Sequence, residues 1–347
     1  MKVAVLSDIK KLTIEDRPKP EIEPGEVLVK TKFCGICGSD VHSYLTAGLF
    51  PVGTVMGHEA CGVVTAIGEG VKNVQPGSRV VVMPVAPCRI CPACIQGRDN
   101  NCYNSFDRDV GQSPARDGAY AEFVRVPHPE EMLFHLPDNV SFEVGALVDP
   151  LATSLHGLRL SEFKPGDNVV VSGAGPIGAA MLQLLKLGGA GQIIALEISP
   201  QRSEMALELG ADAVLNPVAE GEALSDTIAD MTAGLGADIL YECAGVPEAL
   251  SSSIFSVRQG GQVMVIGVTE HDVPINSLYF VLREIDMKGS IAYTSHEFQM
   301  VIDMLSQGKI AADRLITDII GLDEIEDKGF KRLTSSNTEA MKILVKP

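Results

Sequence analysis

Residues 167–199, DNVVVSGAGPIGAAMLQLLKLGGAGQIIALEIS, contain two apolar runs separated by a glycine-rich turn and a segment with helical spacing. A strand, a turn, a helix and a second strand of these lengths predict one βαβ unit of a parallel sheet. The same alternation continues in SPQRSEMALELGA, AVLNP, ADILYECAG and GGQVMVIGV. We therefore expect a doubly wound parallel α/β domain over residues 153–289.

The turn in this stretch has the spacing G-x-G-x-x-G, which is typical of dinucleotide sites. Gly173 permits the tight turn, Gly175 lets backbone approach a pyrophosphate, and Gly178 lets the helix pack closely on the strand. Glu197 ends the next strand, where a carboxylate accepts hydrogen bonds from ribose hydroxyls and repels a 2′-phosphate. NAD is therefore favoured over NADP, unless Glu197 is only a solvated acid at a strand end. The candidate residues are Gly173, Gly175, Pro176, Ile177, Gly178, Glu197 and Arg202, the last able to stack on adenine or assist a phosphate.

Residues 88–102, CRICPACIQGRDNNC, have the spacing C-x2-C-x2-C-x7-C. Four thiols this close in sequence can surround one tetrahedral zinc ion, and four sulfur ligands leave no open position for chemistry. The alternatives are a disulfide knot and an iron–sulfur cluster, although the bacterial cluster spacing has three residues before a fourth cysteine followed by proline. We predict a structural zinc in a lobe over about residues 86–104, with ligands Cys88, Cys91, Cys94 and Cys102.

A second set of zinc-type ligands lies elsewhere in the chain. Cys37 occurs in CGICGSD, His58 and Glu59 in MGHEACG, and Asp149 in VDPL. A catalytic zinc uses about three protein ligands and keeps one position for water or substrate. Each of these residues alone is more often structural, but their joint occurrence beside glycines favours a second, reactive metal site.

Composition and net charge restrict the classes of protein to which this chain can belong. The chain has 347 residues, 46% hydrophobic and 21% charged, and a net charge of -17. Such a charge argues against nucleic acid or an anionic membrane as partner and is consistent with a neutral substrate. The N-terminus, MKVAVL, has no signal-peptide pattern, so we expect a cytoplasmic location. The apolar stretch 169–185 belongs to the βαβ unit, because it carries three glycines and a proline.

The first 150 residues have a different pattern of apolar residues. Short apolar runs such as EVLVKTKFCGICG, ACGVVTAIGEGV and SRVVVMPVAP are broken by Gly and Pro. They predict a partly closed antiparallel barrel. Beyond about residue 288, IAYTSHEFQMVIDMLSQGKI and MKILVKP indicate a helix and a strand outside the parallel repeat, which could return to this first domain.

GHEACGVVTAIGEGV, the four-cysteine lobe and the glycine turn together resemble the zinc-dependent medium-chain alcohol dehydrogenase family, over essentially the whole chain. The resemblance implies a GroES-like catalytic domain over 1–152 and 290–347 and a Rossmann NAD-binding domain over 153–289. It also implies two zinc ions per chain, with Cys37 and His58 binding the catalytic one and Glu59 as a ligand or an adjacent carboxylate. Ser39 and His42 match its proton-relay positions, although Ser39 also suits a helix N-cap and His42 an ordinary surface histidine.

The implied reaction is hydride transfer from the substrate carbon to the nicotinamide, with zinc as Lewis acid and the proton leaving through Ser39 and His42. One position departs from the family. Many polyol-type relatives carry Glu-Pro-Leu where this chain has Asp149-Pro-Leu. Aspartate is one methylene shorter, so it binds the metal directly or acts through water.

GICGSDVH, REIDMKGSIAYT and DKGF…KILVKP resemble the butanediol, sorbitol and related polyol dehydrogenases. This resemblance implies oxidation of a secondary alcohol with a neighbouring hydroxyl to a ketone. L-threonine 3-dehydrogenase activity is the nearest alternative. A non-catalytic module and a zinc-free quinone reductase are disfavoured by the intact ligands, and the family implies a homotetramer or homodimer. Candidate pocket residues, which could instead pack or contact a subunit, are Tyr44, Phe50, Arg283 and Tyr293.

Overall fold

The computed structural model describes residues 1–335 and 339–347. The chain divides into two compact units, one formed by 1–149 and 293–347 and the other by 150–292. The division at 149/150 and the predicted boundary at 152/153 both fall inside one helix, Val148–Leu160, and not in a loop. The domain limits given above stay predictions.

Strands occur in both units of the described chain. In chain order they are β1 Lys2–Asp8, β2 Lys11–Asp16, β3 Val27–Gly35, β4 Glu59–Ile67, β5 Arg79–Val82, β6 Phe123–Val126, β7 Leu133–His135, β8 Asn168–Ser172, β9 Gln192–Leu196, β10 Ala213–Leu215, β11 Ala237–Glu242, β12 Val257–Val265, β13 Asp286–Gly289, β14 Ile316–Gly321 and β15 Lys342–Lys346.

The α-helices are α1 Gly38–Thr46, α2 Pro92–Ile95, α3 Pro129–Met132, α4 Phe142–Gly145, α5 Val148–Leu160, α6 Pro176–Gly188, α7 Pro200–Glu208, α8 Pro217–Glu220, α9 Leu224–Met231, α10 Pro247–Ser253, α11 Ser277–Arg283, α12 Ser295–Ser306 and α13 Lys331–Leu333. Short 3₁₀ turns occur at Asp99–Asn101, Gly221–Ala223, Ile254–Ser256, Ala312–Leu315 and Leu322–Glu324, and a π-helical turn at Ile325–Phe330.

The unit formed by 150–292 contains the predicted parallel sheet, in the strand order β10-β9-β8-β11-β12-β13. Successive residues of β8 face opposite sides, because strand side chains alternate. Val169 and Val171 pack in one apolar cluster with α6, and Val170 packs in a second cluster with Ile194 and Leu240. Both faces of the sheet are therefore buried by helices, as a doubly wound fold requires.

The unit formed by 1–149 and 293–347 contains a mixed sheet in the order β14-β15-β3-β4-β5-β7, with β6 also pairing with β3. Most neighbours are antiparallel, as predicted, but β14 and β15 run parallel. The connection between them explains this exception, because it contains the turns and α13 that let a strand return in the same direction. β15 pairs with β3 through Leu344 and Gly35, so the last strand completes the sheet that begins near residue 27.

The structure also bears on the apolar stretch at 169–185. It is divided between strand β8 and helix α6, with the glycine turn between them. Within the described ranges, no helix is both long and apolar enough to cross a membrane.

Candidate active site and metal centres

The four cysteines of the lobe come together as a cluster. Their sulfur atoms all lie within 4.8 Å of one another, and all eight cysteines of the chain are free of disulfides. A tetrahedron of sulfurs around zinc with bonds of about 2.3 Å has edges of about 3.8 Å. The residues present therefore fit zinc, and the disulfide-knot alternative is excluded for this segment.

Backbone and amide groups prepare the lobe for a cation. The backbone N–H of Cys88 donates to Cys102 Sγ at 3.3 Å, and Asn104 Nδ2 donates to Cys88 Sγ at 3.4 Å. Hydrogen bonds from the backbone at Ile90 and from Asn104 lower the pKa of Cys88 to about 6. Burial raises the pKa of Cys94 to about 12, so a metal has to displace that proton.

A buried acid within the lobe, Asp99, connects the lobe to a distant helix and is not among the residues predicted from the sequence. Asp99 Oδ1 accepts a hydrogen bond from Arg89 Nη1 at 2.7 Å, and Asp99 Oδ2 accepts one from Ser295 Oγ at 3.2 Å. Because Ser295 begins α12, this contact fixes the lobe to a helix about 200 residues away in sequence. The polar run GRDNN gave no signal for which residue would do this.

The first turn of α1 builds one side of the second candidate metal site. Cys37 immediately precedes α1, and its backbone N–H donates to Asp40 Oδ2 at 3.1 Å, which caps the helix. Ser39 Oγ lies 3.4 Å from His58 Nε2, and Asp40 Oδ1 lies 3.4 Å from His58 Nδ1. Two consecutive residues of one helix thus contact the two nitrogens of one imidazole.

Asp40 lies beside the Nδ1 edge of the His58 ring, although neither Asp40 Oδ1 nor His58 Nδ1 makes a hydrogen bond to a described residue. In many zinc sites, a carboxylate beside one imidazole nitrogen leaves the other nitrogen, here Nε2, as the metal ligand. Asp40 is buried and also accepts a hydrogen bond from Tyr120 Oη at 2.7 Å. Burial opposes protonation of His58, but Asp40 and then Cys37 outweigh burial and hold its pKa well above the usual value. The surroundings of this imidazole therefore attract positive charge.

Glu59 follows His58 at the start of β4 and is held by a buried lysine. Lys342 Nζ lies 2.7 Å and 2.6 Å from the two Glu59 carboxylate oxygens and donates to the Ile36 carbonyl at 3.0 Å. The Glu59 carboxylate lies directly against Gly35, where an added Cβ would be 2.0 Å from Oε2. Glycine at 35 is therefore required by the carboxylate that it faces.

Asp149 is the second residue of α5 and is bonded to a tyrosine. The Tyr293 hydroxyl donates a short hydrogen bond to Asp149 Oδ2, and both side chains are buried. Burial, together with the carboxylate of Glu59, raises the pKa of Asp149 to about 6, although His58 acts in the opposite direction. Asp149, Glu59 and His58 thus lie close enough to influence one another's charge.

The second donor set has the chemistry of a zinc site but is less compact than the lobe. Among the described residues, only the four lobe cysteines form a group of three or more ligand atoms within 4.8 Å of one another. A thiol, an imidazole and two carboxylates are nevertheless the ligand types that zinc prefers. Lys342 and Tyr293 occupy the two carboxylates, so metal binding at this site depends on those partners as well as on the ligands.

The predicted pocket residues lie in different surroundings, and only Phe50 contacts a candidate metal ligand in the contacts described next. The Phe50 ring meets the His58 ring edge-on, with centroids 5.8 Å apart. The Tyr44 ring is buried in the apolar core against Phe330, with centroids 5.0 Å apart, which is the packing alternative. Arg283 lies over the Tyr279 ring at the end of α11. His42 lies three residues after Ser39 on α1 and is half-buried.

The glycine turn shows which glycines the fold itself requires. Gly173 has φ +89, and an added Cβ at Gly178 would be 1.8 Å from the Gly173 carbonyl oxygen. At Gly175 an added Cβ would meet only Arg202 Nη1, at 3.9 Å. Packing thus accounts for Gly173 and Gly178, whereas Gly175 faces open space next to a guanidinium. Such space at a helix N-terminus suits an approaching phosphate.

Glu197 also contacts the glycine turn, through the backbone of Ala174. Its Oε2 accepts from the Ala174 backbone N–H at 2.8 Å, and its Oε1 accepts from the backbone N–H groups of Ile198 and Ser199 at 2.9 Å. Pro176 begins α6 and Ile177 accepts a hydrogen bond from Ser154 Oγ at 2.9 Å. Glu197 is therefore a fixed carboxylate at the turn and not a solvated acid.

Several residues around the second candidate metal site are not among those predicted from the sequence. Asp40 and Tyr120 were not singled out, and Lys342 was treated only as part of a terminal strand. A signal for Lys342 existed, because a lysine inside the apolar run MKILV has to find a partner when the strand is buried. No such signal identified the partner as Glu59.

Comparison with known proteins gives the family. Residues 23–138 match the alcohol dehydrogenase GroES-like domain, and residues 176–307 match the zinc-binding dehydrogenase domain. The chain is 37% identical to the (R,R)-butanediol dehydrogenase of Bacillus subtilis strain 168, with 100% of both proteins covered. It is 33% identical to the sorbitol dehydrogenase of the same strain, with 100% of this chain and 97% of that protein covered.

A solved structure agrees with these matches. A protein of Sinorhizobium meliloti 1021, described as a zinc-binding dehydrogenase and solved bound to NADP, has a TM-score of 0.90 at 33% identity. The alignment covers 100% of this chain and 99% of that chain. This chain therefore belongs to the zinc-dependent medium-chain alcohol dehydrogenase family and is an oxidoreductase. The predicted family, the α/β fold with GroES-like and Rossmann parts, and zinc as cofactor are confirmed.

Proposed function

We propose that this chain oxidises a secondary alcohol that carries a neighbouring hydroxyl, such as a vicinal diol or sugar alcohol, to a ketone. The observation that carries the proposal is the set of Cys37, His58, Glu59 and Asp149, of which the last three are buried, with both carboxylates held by hydrogen bonds from Lys342 and Tyr293. Zinc held by these residues supplies Lewis-acid chemistry, and NAD supplies the hydride acceptor.

The chain's own residues orient the substrate and move its proton. The Ser39 hydroxyl, whose Oγ lies 3.4 Å from His58 Nε2, can accept the proton of a substrate hydroxyl while it gives up its own proton. His42, one turn further along α1, is partly exposed and can pass the proton toward solvent. Phe50 bounds the site beside His58 and limits the room for a bulky substituent.

Charge balance favours a neutral substrate over an amino acid. Recognition of an amino acid such as threonine requires a cation for its carboxylate. Lys342 contacts one of the four candidate ligands, Glu59, and Glu59 neutralises it, so Lys342 does not supply such a cation. The names of the relatives, butanediol and sorbitol dehydrogenase, agree with a neutral polyol.

The cofactor is NAD in this proposal. Glu197 is anchored by three backbone N–H groups, so its negative charge stays at the turn where a 2′-phosphate would lie. Arg202 lies close to Gly175 and can contact the dinucleotide phosphates. The NADP found with the Sinorhizobium protein makes the choice of cofactor a direct experimental question.

Steady-state kinetics test this function. The panel includes the butane-2,3-diol stereoisomers, sorbitol, xylitol and threonine, with butan-2-ol as the matched alcohol that lacks the second hydroxyl. We expect NAD reduction with a diol or sugar alcohol, at a kcat/KM at least tenfold above that for butan-2-ol, and a preference for NAD over NADP. Turnover of threonine alone would replace the proposal with the amino-alcohol alternative.

The parallel sheet supports self-association into a homodimer or homotetramer. β13 is an outer strand of that sheet, and no other strand in the described ranges pairs with its free edge. The helix before it, α11, exposes Leu278, Val281 and Leu282 by 56%, 73% and 66%. An open strand edge beside apolar side chains suits a second copy. Light scattering should show an oligomer that Val281→Glu dissociates; a monomeric native chain would contradict this.

A cytoplasmic location completes the proposal. None of the eight cysteines forms a disulfide, which is usual in a reducing compartment. Fractionation of cells that express the full chain, with activity followed in each fraction, tests the location.

A further inference from the structure

We propose that Glu242 is a positioning residue for the dinucleotide, because its buried carboxylate holds the loop of residues 243–245 against the glycine turn at Gly173. This inference rests on the proposed function, since it takes NAD as the ligand of that turn. It gives a role to a buried acid that is not among the cofactor residues predicted from the sequence.

Glu242 lies at the edge of the parallel sheet where such folds bind their ligands. It is the last residue of β11 and pairs with Ser172 of β8, the residue before the glycine turn. The strand order reverses here, since β9 and β10 lie on one side of β8 and β11, β12 and β13 on the other. A dinucleotide binds across such a reversal, with one mononucleotide half on each side. With the adenosine half on the side of Glu197, the second mononucleotide lies on the side of Glu242.

The Glu242 carboxylate fixes the loop that follows it. Its Oε1 accepts hydrogen bonds from the backbone N–H groups of Ala244 and Gly245, both at 2.9 Å. The residue is 2% exposed, and burial raises the pKa of its carboxyl group, although the two N–H groups act in the opposite direction. A buried acceptor that loses its donors is not compensated by water, so the loss costs free energy. The loop therefore keeps the conformation that brings both N–H groups to Oε1.

The loop in turn contacts the glycine turn. Ala244 lies directly against Gly173, where an added Cβ would be 2.8 Å from the Ala244 Cα. The Cys243 N–H donates to the Ser172 carbonyl oxygen at 2.8 Å, so the loop and the turn are also joined through their backbones. Because the contact is this close, a displacement of Ala244 displaces the turn that receives the pyrophosphate.

The loop after β12 is held by the same residue. The Glu242 carbonyl oxygen accepts hydrogen bonds from the backbone N–H groups of Ile266 and Gly267, both at 2.9 Å. An added Cβ at Gly267 would be 2.6 Å from Glu242 Oε2, so the carboxylate also contacts this loop. At Gly245, an added Cβ would be 2.7 Å from the Val268 carbonyl oxygen. Glu242 therefore connects the loops after β8, β11 and β12 at one edge of the sheet.

Calorimetric titration of the full-length protein with NAD tests this role. Glu242→Met keeps the length of the side chain but removes the acceptor, whereas Glu242→Gln keeps an acceptor for both N–H groups. In Glu242→Met we expect the dissociation constant for NAD to rise about tenfold or more, because the loops lose their common anchor. In Glu242→Gln it should change by less than about threefold.

A second ligand and a control variant separate positioning from a general loss of stability. AMP carries only the adenosine half, so Glu242→Met should weaken AMP binding at least about threefold less than NAD binding. Asp238→Ala is the control, because Asp238 lies on the same strand and accepts a hydrogen bond from the Asn168 N–H at 2.8 Å, at the opposite edge of the sheet. This variant should lower the thermal unfolding midpoint and leave the affinity for NAD unchanged.

Gly267→Ala gives a second route if Glu242→Met folds poorly. It keeps the acid but places a Cβ 2.6 Å from Glu242 Oε2 and 2.3 Å from the Gly245 backbone nitrogen, so it should also displace the loop and weaken NAD binding. Native affinity for NAD in whichever of these two variants folds would overturn the role of Glu242. An equal loss in Glu242→Gln and Glu242→Met would overturn it too, since charge and not the acceptor would then matter. A native chain that binds no NAD would instead overturn the proposed function.

Discussion

Lys342 Nζ lies 2.6 Å from Glu59 Oε2, and both side chains are almost completely buried. Lys342 comes from β15 and Glu59 from β4, so the ion pair joins strands on either side of β3. Removing an ion from water costs several kcal/mol, and a buried pair offsets that cost only when both members are present. The two charges are thus mutually dependent, and neither is tolerated alone.

Replacement of Lys342 by Met should destabilise the protein by about 3–5 kcal/mol, because Glu59 is left as an uncompensated buried charge. Urea unfolding followed by circular dichroism measures this loss. The double variant Lys342→Met/Glu59→Gln should recover part of the stability. Lys346→Met is the control, since Lys346 lies on the same strand but is exposed. Equal effects at both lysines would contradict the account of the buried pair.

The glycine turn gives a matched pair of substitutions. Gly178→Ala should lower the thermal unfolding midpoint and the yield of folded protein, because the added Cβ collides with the Gly173 carbonyl oxygen. Gly175→Ala should leave the midpoint within about 2 °C and weaken NAD binding tenfold or more, since only the ligand approaches there. Differential scanning fluorimetry and NAD titration measure the two quantities. Unchanged NAD affinity in Gly175→Ala would show that the dinucleotide lies elsewhere.

The lobe should depend on its metal. Cys94→Ala removes one corner of the cysteine cluster, so the zinc content should fall from two ions per chain to one. The segment around Arg98 should then become sensitive to trypsin, because zinc supplies order that the polar sequence lacks. Cys243→Ala, which removes a cysteine outside the cluster, is the control. Retention of both zinc ions in Cys94→Ala would exclude the four-sulfur site.

His128 should make the free energy of unfolding depend on pH. Burial, together with the charge of Arg108, lowers the pKa of His128, whose Nε2 accepts a hydrogen bond from Arg108 Nη2 at 2.7 Å. Since the unfolded chain binds this proton more readily, His128 should lower the stability as the pH falls below about 6.5, down through the depressed pKa. His128→Gln keeps an acceptor for Arg108 but does not titrate.

Urea unfolding midpoints measured between pH 8 and pH 5 test whether His128 lowers the stability at acid pH. The fall in midpoint with acidification should be shallower in His128→Gln than in the native chain. His135→Gln, at an exposed histidine of β7, should follow the native curve. Parallel curves for native chain and His128→Gln would mean that His128 does not contribute to acid sensitivity.

The structural features that could be predicted from the sequence are those defined by the spacing of nearby residues. The βαβ alternation, the glycine turn and the four-cysteine cluster all depend on spacing within a few tens of residues, and the structure contains each of them. The parallel pairing of β14 with β15 was not predicted, because strand direction depends on how a distant segment returns. Tyr44 shows a related limit, since its sequence neighbourhood suits a pocket while its ring lies in the core.

The candidate metal site was predicted as a set of residue types but not as a network. Cys37, His58, Glu59 and Asp149 have recognisable chemistry, and the family resemblance supplied their roles. Asp40, Lys342 and Tyr293 act through hydrogen bonds to those residues. Lys342 and Glu59 are 283 positions apart, so no local pattern connects them. Only the three-dimensional structure shows which donor each carboxylate has, Lys342 for Glu59 and Tyr293 for Asp149.

The position of β15 has a consequence for biosynthesis. Gly35 pairs with Leu344, and 344 − 35 leaves 309 residues for the ribosome to add before this pairing can form. At about 5–20 residues per second, the delay is roughly 15–60 s. The segment 150–292 is contiguous and emerges complete during that time, whereas the first sheet still lacks a strand. Glu59 then has no counter-ion, so a nascent chain completes its candidate metal site last, after residues 150–292 have left the ribosome.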